Sequence, residues 1–404
     1  MLRLYLMYLQ NPNQQRRDNM KVLKANIREF GMVIALIAIA ILFQVLTDGI
    51  LFRPANIFNL VTQNGYILIL SVGMMLVILT GRIDLSVGSL LAFSSALAGV
   101  FIISMGWPVW LAVPAVLAVG ALAGAFNGYW IAYKNIPFFI VTLVGMLVFR
   151  GLTMVVLSDG TLTPFPAGFH NVSAGHIPDL FGAGGMNITA FILSAAASVV
   201  VIFLEFRRRK VSLRYEAEVL PMQFFIAKLA FIVGAINLFG FWFASTRGVP
   251  NILILLTILV IAYSFIAQNT VMGRHIYATG GNAKAAELSG IKVKQVVFWV
   301  YVNMGLLAAL AGLVFAARLN ASTPRADAGF ELQAIAAAFI GGASPSGGIG
   351  KITGAIIGAM IMGILNNGLA HLGMGSDIQL AITGLVLLAA VTFDVYTKTK
   401  LSKA

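Results

Sequence analysis

The chain has 404 residues, of which 59% are hydrophobic and only 10% are charged, and its mean hydropathy is +0.93. Soluble proteins carry about 25% charged residues, so this composition excludes a soluble globular protein and predicts an all-α polytopic membrane protein. The net charge of +13 comes from basic residues in short connections between apolar runs, which is typical of membrane topology rather than of nucleic-acid binding.

In chain order, the apolar runs predict about twelve transmembrane or re-entrant helices. A bilayer core needs about 20 residues to cross as a helix, so segment 331–343 is too short to span and is interpreted as a broken or re-entrant helix. Segment 53–63 is expected to lie at the membrane interface. The predicted segments are 30–48, 64–80, 86–105, 109–132, 136–157, 187–206, 222–244, 250–269, 295–316, 331–343, 352–371 and 377–395.

Lys and Arg are distributed unevenly among the connections. With the N-terminus inside, nineteen of them lie on the cytoplasmic side and four on the outer side, which favours this orientation. The predicted organisation is a cytoplasmic N-terminal tail 1–29, a transmembrane domain 30–395 and a cytoplasmic tail 396–404. Met20 is an alternative translation start within the first tail.

Two apolar helices are interrupted by similar breaks at 81–89 and 341–351, with matching Gly and Ser residues at a constant offset of 260. Paired breaks in two halves are typical of transporters built from repeats, with the transport path at the repeat interface. Asp84 lies within the first break and has two interpretations. It caps the following helix, or it borders the path as an intramembrane ionisable residue.

The motifs of enzymes are missing from the sequence. Gly350-Lys351 resembles the end of a nucleotide-binding loop, but Pro345 and Ile352 occupy positions that need Gly and Ser or Thr. The chain has no cysteine, and its four histidines do not have a metal-ligand spacing. We therefore predict that it is not an enzyme and has no metal or cofactor.

Between two apolar runs lies a polar segment rich in small residues, Gly273 to Ile291, within the predicted cytoplasmic loop 270–294. Its position and composition favour contact with a soluble partner. Asn282 is placed to cap a short helix that Gly290 ends. An ordinary loop helix without a partner is the alternative.

Taken together, the ordered motifs resemble the permease subunit of bacterial monosaccharide ATP-binding-cassette importers, from about residue 30 to 395. The similarity is greatest to the xylose or multiple-sugar permeases. The motifs that carry it are Gly81 to Ser89, Pro137 to Met146, Phe149 to Gly151, Gly273 to Ile291, Glu331 to Ala337, Gly341 to Gly350 and Leu365 to Gly368. The chain departs from the shorter ribose-type pattern by an inserted helix pair at about 187–245. The basic loop of that pair is expected to meet anionic lipid headgroups.

The resemblance implies that the polar segment holds a coupling helix, which sits in a groove of a separate ATPase subunit. The residues assigned to this contact are Gly280, Gly281, Asn282, Ala285, Ala286, Glu287, Leu288, Ser289 and Gly290. It further implies a homodimer in the bacterial inner membrane, with both termini cytoplasmic. A periplasmic sugar-binding protein would deliver the monosaccharide, which would pass along the dimer interface.

Polar or aromatic residues in otherwise apolar helices are the candidates for the translocation pathway. They are Asp84, Ser86, Asn127, Phe138, Arg150, Asn303, Glu331, Gln333, Asn366 and Asn367. Interhelical hydrogen bonding is the alternative role for each Asn, as packing is for Phe138. A proton-coupled secondary sugar transporter is one alternative function for the chain, and a membrane channel or scaffold subunit is another.

Overall fold

A computed structural model describes residues 31–158, 160–182, 185–215, 219–324 and 329–401, with side chains described up to residue 392. The predicted N-terminal tail 1–29, the alternative start Met20 and the last three residues of the predicted tail 396–404 lie outside these residues.

The described chain is predominantly helical. The longer helices correspond closely to the apolar runs of the sequence, and helices at the surface connections are short. In chain order the helices are α1 Gly31–Leu46, α2 Pro54–Leu79, α3 Val87–Gly99 continued by a π-helical turn Val100–Ser104, α4 Val109–Ala132, α5 Phe138–Val156, α6 Ala167–Ala174, α7 Ile188–Arg214, α8 Met222–Ala244, α9 Asn251–Asn269, α10 Val271–Gly281, α11 Ala283–Leu288, α12 Val293–Leu319, α13 Phe330–Ile340, α14 Ile352–His371 and α15 Ser376–Leu401.

Within the described residues, nine helices are long and apolar enough to cross a membrane, and three apolar helices are shorter. The three shorter ones include α13, whose 11 residues span about 16 Å, half of a bilayer core. The prediction of an all-α polytopic membrane protein is confirmed, and so is the expectation that the segment near 331–343 is too short to span.

Segment 53–63, expected at the membrane interface, is not separate from the predicted span 64–80. This segment forms the first turns of α2, one continuous helix of 26 residues that begins with Pro54 at its first position. Proline is favourable there because its missing N–H would have no helical partner. The polar residues Gln63 and Asn64 therefore lie within a helix that is long and apolar enough to span a membrane.

Contacts divide the chain into two compact units. Among the described residues, the smaller contains 31–34 and Ile177–Val249, and the larger contains Ala35–His176 and continues from Pro250. The smaller unit is built on the helix pair α7 and α8, which are joined by hydrogen bonds from Asn237 to Ser198 (2.9 Å) and from Lys228 to Glu205 (2.9 Å). The predicted insertion 187–245 lies within this unit.

The larger unit is organised around α2 and α12. In the 18-residue apolar stretches of α2 and α12, 83% and 78% of the residues are buried, whereas in α4 the buried share is 22%. The helices α2 and α12 therefore lie at the centre of this unit. The small residues of α4 allow it to pack closely on α12. A Cβ atom at Gly124 would lie 2.2 Å from the carbonyl oxygen of Tyr301, and one at Gly305 would lie 2.2 Å from that of Gly120. The glycine stripe of α4 therefore serves helix packing.

Candidate functional site

The polar segment between α9 and α12 folds as two helices, α10 and α11, rather than as one loop helix. Thr270 caps α10, and the side-chain oxygen of Asn282 caps α11 by accepting a hydrogen bond from the N–H of Ala285 at 2.9 Å. Gly290 follows α11 with φ +85°, a conformation in which glycine is favoured. The predicted cap and end of the short helix are confirmed.

Most of α11 is exposed. Leu288 is 84% exposed, whereas Ala286 is only 5% exposed and is covered within the chain itself. Of the other residues assigned to the ATPase contact, Gly280 is half-buried, and Gly281, Asn282, Ala285, Glu287, Ser289 and Gly290 are exposed. An apolar side chain held out on a short capped helix is suited to a protein partner, and Ala286 instead anchors the helix to the permease.

Gly280 lies at the end of α10, and both Gly280 and Gly281 belong to this helix. Gly280 matters because its backbone lies very close to two other backbone segments. A Cβ atom here would lie 1.7 Å from the carbonyl oxygen of Leu79 and 2.6 Å from the amide nitrogen of Gly348. Only glycine allows the end of α10 to lie directly against both segments.

The two predicted breaks meet at this same point. Gly347 and Gly348 have φ values of +81° and +71°, and the N–H of Gly348 donates a hydrogen bond of 2.9 Å to the carbonyl of Leu79. A Cβ atom at Gly347 would lie 2.7 Å from the amide nitrogen of Gly81. We call Gly81, Gly280, Gly347 and Gly348 the glycine junction. It joins the end of α2, the end of α10 and the connection between α13 and α14.

A side-chain contact supports the junction. The Tyr277 hydroxyl donates a hydrogen bond of 2.7 Å to the carbonyl of Gly350. Burial raises the pKa of Tyr277 above its usual range, so the hydroxyl keeps its proton and remains a donor. The helix α10 that carries α11 is therefore fixed to the second break by backbone packing and a hydrogen bond.

The first break continues into a buried chain of hydrogen bonds. Oδ1 of Asp84 accepts from the N–H of Ser86 at 2.9 Å and from its hydroxyl at 2.6 Å, and the Ser86 hydroxyl accepts from Nδ2 of Asn127 at 2.9 Å. Tyr301 donates to the carbonyl of Ile83 at 3.2 Å. This geometry is that of an aspartate-stabilised turn at the start of α3. Asp84 therefore stabilises the turn before α3, whose N-cap residue Ser86 makes no side-chain cap hydrogen bond.

A polar cavity of about 480 Å³ lies elsewhere in the larger unit, between α2, α12, α13, α14 and α15. Three of the ten pathway candidates, Gln333, Asn366 and Asn367, line it. Its described lining residues are Gln63, Asn64, Tyr66, Arg318, Phe330, Gln333, Asn366, Asn367, Ala370, Ser376, Asp377, Gln379, Leu380 and Thr383.

The other pathway candidates do not line this cavity. Asn303 accepts a hydrogen bond from the Tyr263 hydroxyl at 2.5 Å, an interhelical role. Glu331 lies at the start of α13 against the backbone of Gly88, while Phe138 and Arg150 are half-buried on α5. Of the ten candidates, the structure therefore brings three together at the cavity and three in the buried chain at Asp84.

Sequence reasoning missed several lining residues, notably Gln63, Asn64, Tyr66, Arg318 and Asp377. The predicted segments place Gln63 in the interfacial segment 53–63 and Arg318 beyond the end of segment 295–316. The sequence does contain a signal for these residues. The consecutive amides Gln63 and Asn64 have apolar residues on both sides, so the apolar run extends upstream of them. Assigning that run to one helix would have placed both on a membrane-spanning element.

Comparisons with known proteins agree with the fold and the motifs. The chain matches the family described as "Branched-chain amino acid transport system / permease component" over residues 56–209 and 212–391. It is 38% identical over 376 residues to the xylose transport system permease protein XylH of Escherichia coli strain K12, covering 92% of this chain and 93% of the relative.

Two further relatives show similar coverage. The XylH protein of Haemophilus influenzae is 36% identical over 385 residues, covering 94% of this chain and 100% of the relative. The ribose import permease protein RbsC of Escherichia coli strain K12 is 36% identical over 373 residues, covering 92% of this chain and 95% of the relative. No solved structure matches the chain. The resemblance to bacterial sugar permeases is thus confirmed, and the chain belongs to this family of multi-pass membrane transport permeases.

Proposed function

We propose that the chain is the membrane permease subunit of an ATP-binding-cassette importer for a monosaccharide, xylose or a related pentose or hexose. The similarity to xylose and ribose permeases over more than nine-tenths of the chain supports the substrate class. Two copies form a homodimer in the inner membrane with both termini in the cytoplasm. Separate ATPase subunits bind inside, and a periplasmic sugar-binding protein docks outside.

The placement of α11 carries this proposal. This short helix exposes Leu288 to a partner, and its neighbour α10 is packed through Gly280 against the ends of two interrupted membrane elements. A displacement of α11 by a closing ATPase pair would therefore act on α2 and on the connection between α13 and α14. Rigid elements joined by close backbone packing transmit such displacements.

In the proposed cycle, ATP binding closes the ATPase pair and the coupling segment 270–294 moves with it. The membrane helices then shift between outward-open and inward-open arrangements while sugar passes along the interface of the two permease chains. The ATPase supplies the hydrolysis, so the permease needs no catalytic residue of its own. The inserted helix pair contacts membrane lipid and has no assigned part in transport.

Reconstitution in liposomes tests the proposal. The purified chain is combined with a candidate ATP-binding-cassette ATPase and a candidate sugar-binding protein from the same organism, and uptake of radiolabelled d-xylose is measured with and without ATP. Sugar-stimulated ATP hydrolysis and uptake that need all components are expected. Uptake by the chain alone driven by a proton gradient would establish a secondary transporter, and passive flux would establish a channel.

A further inference from the structure

The polar cavity between α2 and α15 lies far from the glycine junction. Along α2, about 24 Å of helical rise separates Gln63, which lines the cavity, from Leu79, which contacts Gly280. The cavity is thus towards the end of α2 opposite to α10 and α11. In the proposed orientation this is the periplasmic half of the membrane.

The lining of the cavity has the chemistry that recognises a neutral polyhydroxylated solute. Its described side chains include six amides, four of them on α2 and α14, and two hydroxyls from α15. One guanidinium, Arg318, and one carboxylate, Asp377, give a balanced formal charge. Amides donate and accept at once, as each sugar hydroxyl requires.

Aromatic rings complete this chemistry. Tyr66 and Phe330 line the cavity, and their ring centroids are 4.8 Å apart at 56°. Phe315 supports both rings from behind at 5.1 Å and 5.4 Å. Fixed aromatic faces beside convergent polar groups are typical of small-molecule sites, and the volume of about 480 Å³ lies within the usual range for such pockets.

The amides are held in position but retain hydrogen-bonding capacity. Nδ2 of Asn366 donates to Oε1 of Gln333 at 3.1 Å, whereas Oδ1 of Asn366 is buried without a hydrogen-bond partner among the described residues. Asn367 is fixed by a reciprocal pair of hydrogen bonds with Asn56 at 2.9 Å and 3.1 Å. A buried acceptor without a partner costs free energy that a ligand hydroxyl can recover.

We propose that this cavity is a monosaccharide-binding site within each permease chain, with Gln333 and Asn366 as its principal hydrogen-bonding residues and Tyr66 and Phe330 as its apolar face. The permease therefore holds and selects its sugar, in addition to the selection by the binding protein. The identity of the ligand rests on the proposed importer function, whereas the existence of the site rests on the cavity itself.

Binding to the purified full-length permease in detergent tests the site without the ATPase. Saturation-transfer NMR and calorimetry are performed with d-xylose, d-ribose, l-arabinose and d-galactose. Asn366→Leu removes the unpartnered acceptor at nearly constant volume, and its expected effect is a Kd about tenfold higher, the change given by losing one or two hydrogen bonds. Asn237→Leu, which removes an amide of α8 outside the cavity, is the matched control and is expected to leave the Kd unchanged.

Site-directed labelling gives a second measurement because the chain contains no cysteine. Ala370→Cys introduces a single thiol in the cavity wall, and Thr161→Cys introduces one at an exposed position outside it. Saturating sugar is expected to slow the reaction of the first thiol with a methanethiosulfonate reagent, and to leave the second unaffected. Inorganic phosphate serves as the competing probe, since Arg318 would attract an anion.

Equal sugar affinity in wild type and Asn366→Leu, no saturable binding of any of the four sugars, or protection of Ala370→Cys by phosphate alone would each overturn the proposed sugar site. ATP-dependent uptake in liposomes that persists under any of these results would leave the importer function standing. Sugar binding at the cavity without ATP-dependent uptake would support the site and contradict the importer.

Discussion

Gly280 shows how one missing side chain determines the contact between three segments. Its backbone lies directly against Leu79 and Gly348, at separations that no Cβ atom can occupy. The neighbouring residue Gly281 has open space around its Cβ position, although both glycines lie in the last turn of α10. Two adjacent glycines in the sequence thus have different structural requirements.

Gly280→Ala is expected to separate α10 from the end of α2, because the new methyl group would overlap the Leu79 carbonyl. Overpacking of this kind costs about 1–3 kcal/mol. A lower melting temperature of the purified permease and reduced sugar-stimulated ATP hydrolysis in the full complex are the measurements. Gly281→Ala is the control for packing and should leave the melting temperature unchanged, because its Cβ position is open. Equal behaviour of the two variants would contradict the junction.

Asp84 is explained by its local hydrogen bonds with Ser86, which in turn holds Asn127. We expect Asp84→Ala to destabilise the permease by about 1–3 kcal/mol, since it leaves buried donors without their acceptor. Asp84→Asn should be milder because its amide oxygen still accepts from the N–H of Ser86. Chemical denaturation of both variants in detergent measures this difference. Wild-type stability of Asp84→Ala with loss of transport would instead support a pathway role.

At the scale of elements, α11 is too short to be stable by itself, and its position depends on a cap and a buried anchor. Asn282 satisfies the N–H of Ala285, and Ala286 packs inward, so the opposite face presents Leu288 to solvent. Short helices in water are marginal without such tertiary contacts. The exposed face is thus a rigid feature that a partner can bind.

Leu288→Arg is expected to weaken association with the ATPase by at least about tenfold, the effect of losing a central apolar contact in an interface. Co-purification of the ATPase with the variant permease measures it. Leu180→Arg, also at a highly exposed leucine but on the proposed outer side, should retain the complex. An intact complex with Leu288→Arg would show that α11 does not face the ATPase.

At the scale of the whole molecule, the placement of the basic residues makes topology testable in the same cysteine-free chain. Lys284→Cys on α11 and Thr161→Cys in the longest predicted outer loop are expected to lie on opposite sides of the membrane. In spheroplasts, a membrane-impermeant maleimide should modify Thr161→Cys at once, and Lys284→Cys only after permeabilisation. The reverse pattern would invert the proposed orientation.

The sequence by itself determined the helical membrane class, the family and the cap of α11, because each of these depends on composition, on ordered motifs or on residues within one turn of each other. For this reason the sequence alone identifies Asn282 as the cap of the short helix and Gly290 as the residue that ends it. Only the tertiary structure decided that Gly280 contacts Gly348 and Leu79, and that Gln63 faces the same cavity as Gln333 and Asn366. These contacts join residues that are distant along the chain, and in apolar helices nothing in the periodicity tells a protein-facing position from a lipid-facing one.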